Sequence, residues 1–130
     1  LNMALPEFKE ISGETKLEQG AEAKFRIAEI YYRQNNKTQA ENEVMDFITK
    51  GTPFQFWLGK SFLLLADIYL DKGDEFQAKH TLKSVVENYG NDTDGIKNEA
   101  ARKLATIEDG EKLEQKKAID NSFQLKLNEN

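Results

Sequence analysis

The sequence predicts an all-α fold, a stack of antiparallel helix hairpins, and three observations lead there. The hexapeptide RIAEIY at residues 26–31 returns as LLADIY at residues 64–69, 38 residues later. A fixed period of this length is the signature of a helical repeat. The spacing of Ala40, Val44 and Phe47 returns at Ala78, Leu82 and Val85 with the same offset of 38. Finally, residues 52–73, TPFQFWLGKSFLLLADIYLDKG, are apolar on nearly every side. A helix of that kind must be covered by several neighbours.

The elements follow in order. Residues 1–12 read as a short amphipathic helix with Ala4, Phe8 and Ile11 on one face, broken by Ser12-Gly13. Thr15 and Glu18 have capping-box spacing and open a second helix running to about Gln34. Asn35-Asn36 makes a turn, and a third helix over about 38–50 carries Ala40, Val44 and Phe47 inward before Gly51 closes it. Thr52 then suits an N-cap, Pro53 a first helical turn and Gly73 a C-terminal stop, so the central apolar helix spans 53–72. A fifth helix places Ala78, Leu82, Val85 and Val86 inward and ends near Tyr89-Gly90. The polar run 91–94 turns the chain into a sixth helix over 95–117, where KLATIE at 103–108 repeats the hexapeptide 39 residues after LLADIY. The expected organisation is a repeat domain over 1–118, made of a half repeat at 1–12, full pairs at 16–50 and 53–89, and a capping helix at 95–117. Residues 119–130 lack a clean period and are expected to form a flexible tail.

Each hairpin alone leaves apolar faces open, so stability has to come from stacking. Ala28 and Ala66 are small where two helices cross, and Ala40 and Ala78 supply the facing small surface. Tyr31 and Tyr69 fill the gap beside each turn, and Phe47 and Val85 close the layer toward the next pair.

Composition narrows the function. A net charge of −5 disfavours nucleic acid as a partner, because phosphate binding needs a basic face. With no cysteine there is no disulfide framework, thiolate nucleophile or Cys-based zinc site. Lys60 and Asp67 interrupt the central helix, so it lacks the run of about 18 uncharged residues that a membrane span requires, and no direct membrane insertion is expected. The stretch LNMALPEFKE has neither the basic nor the apolar region of a signal peptide. His80 stands alone on the polar side of the fifth helix, which favours a surface role over metal binding or catalysis. Residues 92–95 have a calcium-loop flavour, but Gly90 and Ala101 stand where acidic ligands are required, so a turn and N-cap is the reading. No glycine-rich phosphate loop and no nucleophile–base pair is recognisable. No catalytic residue, metal ligand or cofactor is therefore expected.

The small residue before an aromatic in each first helix, followed by an alanine and an aliphatic or aromatic in each second helix, resembles the tetratricopeptide repeat family. The likeness covers residues 20–109 and extends more weakly to 1–12. The chain departs from the family pattern in its period of 38, in Pro53 standing one residue late, and in Lys24 where an early aromatic is usual; Phe62 fills that place in the second pair. The longer period is similar to repeats in bacterial cell-envelope proteins, such as the Tol-Pal coordinator and the outer-membrane assembly lipoprotein. That favours the periplasm or cell envelope over the cytoplasm.

The resemblance implies a right-handed α-α superhelix whose first helices line a concave face that binds partner peptides. The matching positions are Glu22, Phe25, Glu29, Tyr32 and Arg33 in the first pair. In the second they are Lys60, Leu63, Asp67, Leu70 and Asp71, with Glu99 and Arg102 beyond. Helical geometry groups Phe25, Glu29 and Tyr32 on the side away from Ile27 and Tyr31. The set expected to carry partner binding is Phe25, Glu29, Tyr32, Leu63, Asp67 and Leu70. It lacks the Lys/Arg cluster that chaperone-tail-binding members use as a carboxylate clamp. Phe25 and Leu63 serve equally well as packing residues, and Trp57 reads as core. The expected function is a non-catalytic protein-interaction scaffold for a peptide or helix, a module of a larger repeat protein. The alternative is a structural module that self-associates through its open repeat ends.

Overall fold

The computed structural model describes residues 5–128, and every regular element among them is helical. The helices are α1 (Leu5–Ile11), α2 (Glu18–Arg33), α3 (Lys37–Lys50), α4 (Gln55–Asp71), α5 (Glu75–Asn88) and α6 (Ile96–Asn128). Ala4, expected on the face with Phe8 and Ile11, lies outside the described residues. Helix α2 pairs with α3 and α4 with α5; α1 packs on α2, α4 bridges the two pairs, and α6 lies against α5 and α4.

The repeat positions explain this stacking. Ala28, Ala40, Ala66 and Ala78 are all fully buried, as are Val44, Phe47, Ile68 and Leu82. One apolar layer joins Phe25, Ala28, Ala40 and Val44 to Leu64, Leu65 and Ile68. The next joins Leu63 and Ala66 to Ala78, Leu82 and Val85, and onward to Ile96, Ala100 and Ile107. A smaller one holds Phe8 of α1 against Ala23 and Ile27. Helix α4 contributes to both large layers, which is why it is apolar around most of its circumference.

The turns repeat with the helices. Asn35 and Gly73, 38 residues apart, both take positive φ, at 61° and 80°. Each is followed by a side chain that caps the next helix, Asn36 accepting from the Gln39 amide and Asp74 from the Gln77 amide. Such caps stabilise a helix by about 1 kcal/mol each.

Local signals give way where tertiary contacts compete. Thr15 does not cap α2, which starts at Glu18 with no side-chain cap. Its hydroxyl instead donates to the Gly51 carbonyl at 2.9 Å, while Thr52 donates to the Thr15 carbonyl at 2.6 Å. The two threonines strap the loop before α2 to the loop before α4. Pro53 consequently lies outside α4, whose N-cap position is Phe54. The run 91–94 turns as expected: Asn91 accepts from the Thr93 and Asp94 amides, and Asp94 accepts from the Ile96 amide at the start of α6. Helix α6 runs through Asn128, beyond the expected end at 117 and across the stretch expected as a flexible tail. From Glu111 onward there is neither Pro nor a further Gly, and Lys, Glu, Gln, Ala and Leu dominate, all good helix formers.

Lys24, at the position Phe62 fills in the second pair, is buried at 5% exposure and reaches Glu43 at 2.6 Å and Asp46 at 2.5 Å on α3. Burial opposes its charge, but the hydrogen bonds to Asp46 and Glu43 outweigh that penalty and raise its pKa. The hydrogen bond from Lys24 in turn holds the Asp46 carboxyl below the ordinary aspartate value. A carboxyl depressed by folding contributes stability above its unfolded pKa, near 3.9, and that contribution is lost as pH falls through the folded value. In thermal melts, wild type is expected to exceed Asp46→Asn at about pH 6, with the gap closing below about pH 4. A gap that stayed constant down to about pH 2.5 would show that the ion pair does not couple to folding.

Candidate partner-binding cleft

Helices α2, α4 and α6 present side chains to one open cleft of about 130 Å³. Phe25 from α2 and Leu63 with Leu64 from α4 form its floor. Both Phe25 and Leu63 are only 4% exposed, so a ligand would meet their edges rather than a free aromatic or aliphatic surface. The polar wall consists of Glu29, Lys60 and Asp67, and α6 adds Glu99 and Lys103.

Most of the wall charges are already paired. Lys103 holds both oxygens of Asp67, at 2.9 and 3.1 Å, tying α6 to α4 across the cleft. Glu29 accepts from Arg26 at 3.1 Å and lies 3.5 Å from Arg33, both on its own helix. Lys60 instead stands over the Phe25 ring at 5.7 Å. An ammonium over an aromatic face is held by the ring quadrupole while its hydrogens stay available to an incoming acceptor. At the same end, Trp57 packs 6.0 Å from Phe25 and edge-on to Phe56 at 5.0 Å, with Arg26 above the Trp57 ring at 5.3 Å. Trp57 is half-buried and Phe56 exposed, so the aromatic stack opens onto the surface.

Of the six residues expected to carry binding, the structure brings Phe25, Glu29, Leu63 and Asp67 into this cleft. Tyr32 and Leu70 lie nearer the turns. Leu70 packs against the α4–α5–α6 layer, while Tyr32 borders the α2–α3–α4 layer and donates to Asp71 at 2.6 Å. That hydrogen bond, with burial and the carboxylate charge added, pushes the Tyr32 hydroxyl up to about 12. Tyr32 and Asp71 thus couple the two first helices across the stack. Lys103 is the wall residue that the sequence reading missed. The hexapeptide alignment sets it opposite Arg26 and Leu64, neither of which belongs to the set of positions expected on the concave face. His80 is exposed on α5, away from the cleft. No helix among the described residues is long and apolar enough to cross a membrane.

Comparison with known proteins gives a family match: residues 55–92 match the family model described as tetratricopeptide repeat. This segment comprises α4, the turn at Gly73, and α5. Searches of curated proteins and of solved structures returned no match.

Proposed function

We propose that this chain, which carries a tetratricopeptide repeat at residues 55–92, is a non-catalytic protein-interaction module. It binds a peptide or helix in the cleft between α2, α4 and α6. The observation that supports this most is the convergence of Phe25, Glu29, Leu63 and Asp67, drawn from two repeats, on one open surface. Its aromatic end and Lys60, which makes no ion pair among the described residues, suit a segment that presents an apolar side chain beside a carboxylate. The long period supports the periplasm or cell envelope as its compartment, by resemblance alone.

The experiment is recovery of a partner by wild type and by Glu29→Ala/Lys60→Glu, two partly exposed residues of the cleft wall, with circular dichroism confirming that both are folded. The double variant is expected to lose binding by about tenfold or more, since anchors at an interface centre can each contribute over about 1 kcal/mol. Equal recovery by a folded variant would remove the cleft as the binding surface. A second reading, self-association through the open end of the stack, is favoured by the exposed Ile119, Phe123 and Leu127 on α6.

A further inference from the structure

We infer that α6 pairs in antiparallel fashion with α6 of a second copy of this chain, through the face carrying Ala101, Ala105, Ile119 and Phe123. This gives the self-association reading a surface and does not depend on what the cleft binds. Helix α6 uses one side, Ile96, Ala100 and Ile107, against α4 and α5. At about 3.6 residues per turn, Ala101, Ala105, Ile119, Phe123 and Leu127 share the opposite side. Both alanines are exposed, and the three larger residues are 68%, 61% and 54% exposed. Ala105 is the third copy of the crossing alanine, after Ala28 and Ala66, which are each 0% exposed beneath a second helix. On α6 no described helix covers it.

The pattern along this face identifies the occupant. Its N-terminal half carries the small Ala101 and Ala105, and its C-terminal half the large Ile119, Phe123 and Leu127. An antiparallel two-fold pairing centred between Gly110 and Glu111 sets Ala101 beside Ile119 and Asp120 of the other copy, Asn98 beside Phe123 and Ala105 beside the stem of Lys116. The charges invert across the same centre: Asp109 falls opposite Lys112, and Arg102 opposite Asp120. None of these four makes an ion pair within the chain among the described residues. A charge pattern that inverts across one centre, with a small residue facing a large one at Ala101 and Ile119, is what a two-fold interface favours. The chain cannot satisfy it alone, because Ala101 and Ile119 stand about 27 Å apart along a continuous helix. Two such helices, each about 50 Å long, can bury an area in the range of about 1,200–2,000 Å² typical of stable complexes.

Sedimentation equilibrium of the full chain tests this, together with cysteine pairing, which is clean because the chain has no cysteine. Wild type is expected to dimerise. Arg102→Asp should raise the dissociation constant about tenfold, and Arg102→Asp/Asp120→Arg should restore it. Mixing Ala101→Cys chains with Ile119→Cys chains under oxidising conditions should yield the mixed disulfide ahead of either like pair. A dimer insensitive to Arg102→Asp, with no mixed disulfide, overturns this pairing while leaving self-association standing. A monomer at every concentration overturns both.

Discussion

Phe47→Ala is expected to destabilise the chain by about 3–5 kcal/mol, the cost of truncating a buried aromatic and leaving a cavity behind it. Phe47 is the largest fully buried side chain, at 0% exposure on α3. Its place corresponds to Val85 on α5, which is also buried, so the position closes an apolar layer in both repeats. Total stability for a domain of this size is about 5–15 kcal/mol, so this single truncation removes much of it. Urea unfolding measures the loss, with Phe76→Ala as the control. Phe76 is 77% exposed on α5, and its removal should change stability by no more than about 0.5 kcal/mol. Similar effects from the two substitutions would contradict the layered stack.

Gly20→Ala should be nearly as damaging, although alanine normally favours a helix over glycine by about 1 kcal/mol. A Cβ at Gly20 would lie 2.0 Å from the Glu14 carbonyl oxygen, 2.5 Å from its carbon and 2.9 Å from the Ile11 carbonyl oxygen. All three are backbone atoms, so no side-chain rotation relieves the clash. The turn from α1 into α2 must move, and α1 takes Phe8 out of its layer with it. A net loss of about 2–3 kcal/mol is expected, with amide hydrogen exchange accelerating first in α1. A gain in stability at Gly20→Ala would mean that the 11–14 turn does not close on α2.

Much of the architecture was legible because it repeats. The alanines at 28, 40, 66 and 78 mark crossings that only a small side chain permits, and each is buried. The left-handed turn residues and the caps that follow them recur at the same period. Features that depend on a distant partner were harder to read. Thr15 has the spacing of a cap, but a carbonyl 36 residues away takes its hydroxyl. Lys24 occupies an apolar layer because Glu43 and Asp46 on another helix neutralise it. Gly20 looks like a weak helical residue until the backbone at Glu14 stands against it. Helix α6 continues where its hydrophobic period fades, since intrinsic propensity sustains it without burial.

The candidate cleft shows the same division. A helical wheel groups Phe25 with Glu29 and Tyr32, and the 38-residue offset carries those positions to Leu63, Asp67 and Leu70, but neither separates a cleft floor from a core. Phe25 and Leu63 prove to be mostly the latter, at 4% exposure each. The wall contributed by Lys103 depends on how α6 leans across α4, an angle not encoded in any local spacing. Tyr32 and Leu70 share the helix faces of Phe25 and Leu63. Helix length carries them nearly one turn beyond Glu29 and Asp67, toward the helix ends.

The central claim is that α2, α4 and α6 bind a protein segment between them. It is tested most directly by nuclear magnetic resonance of the isotope-labelled chain during titration with a peptide selected for binding from a displayed library. Amide and side-chain shifts are expected to concentrate at Phe25, Glu29, Lys60, Asp67 and Lys103. Lys60→Glu should weaken binding by about tenfold through loss of its free charge. Shifts confined to the outer faces of α3 and α5, with Lys60→Glu binding as wild type, would contradict the account.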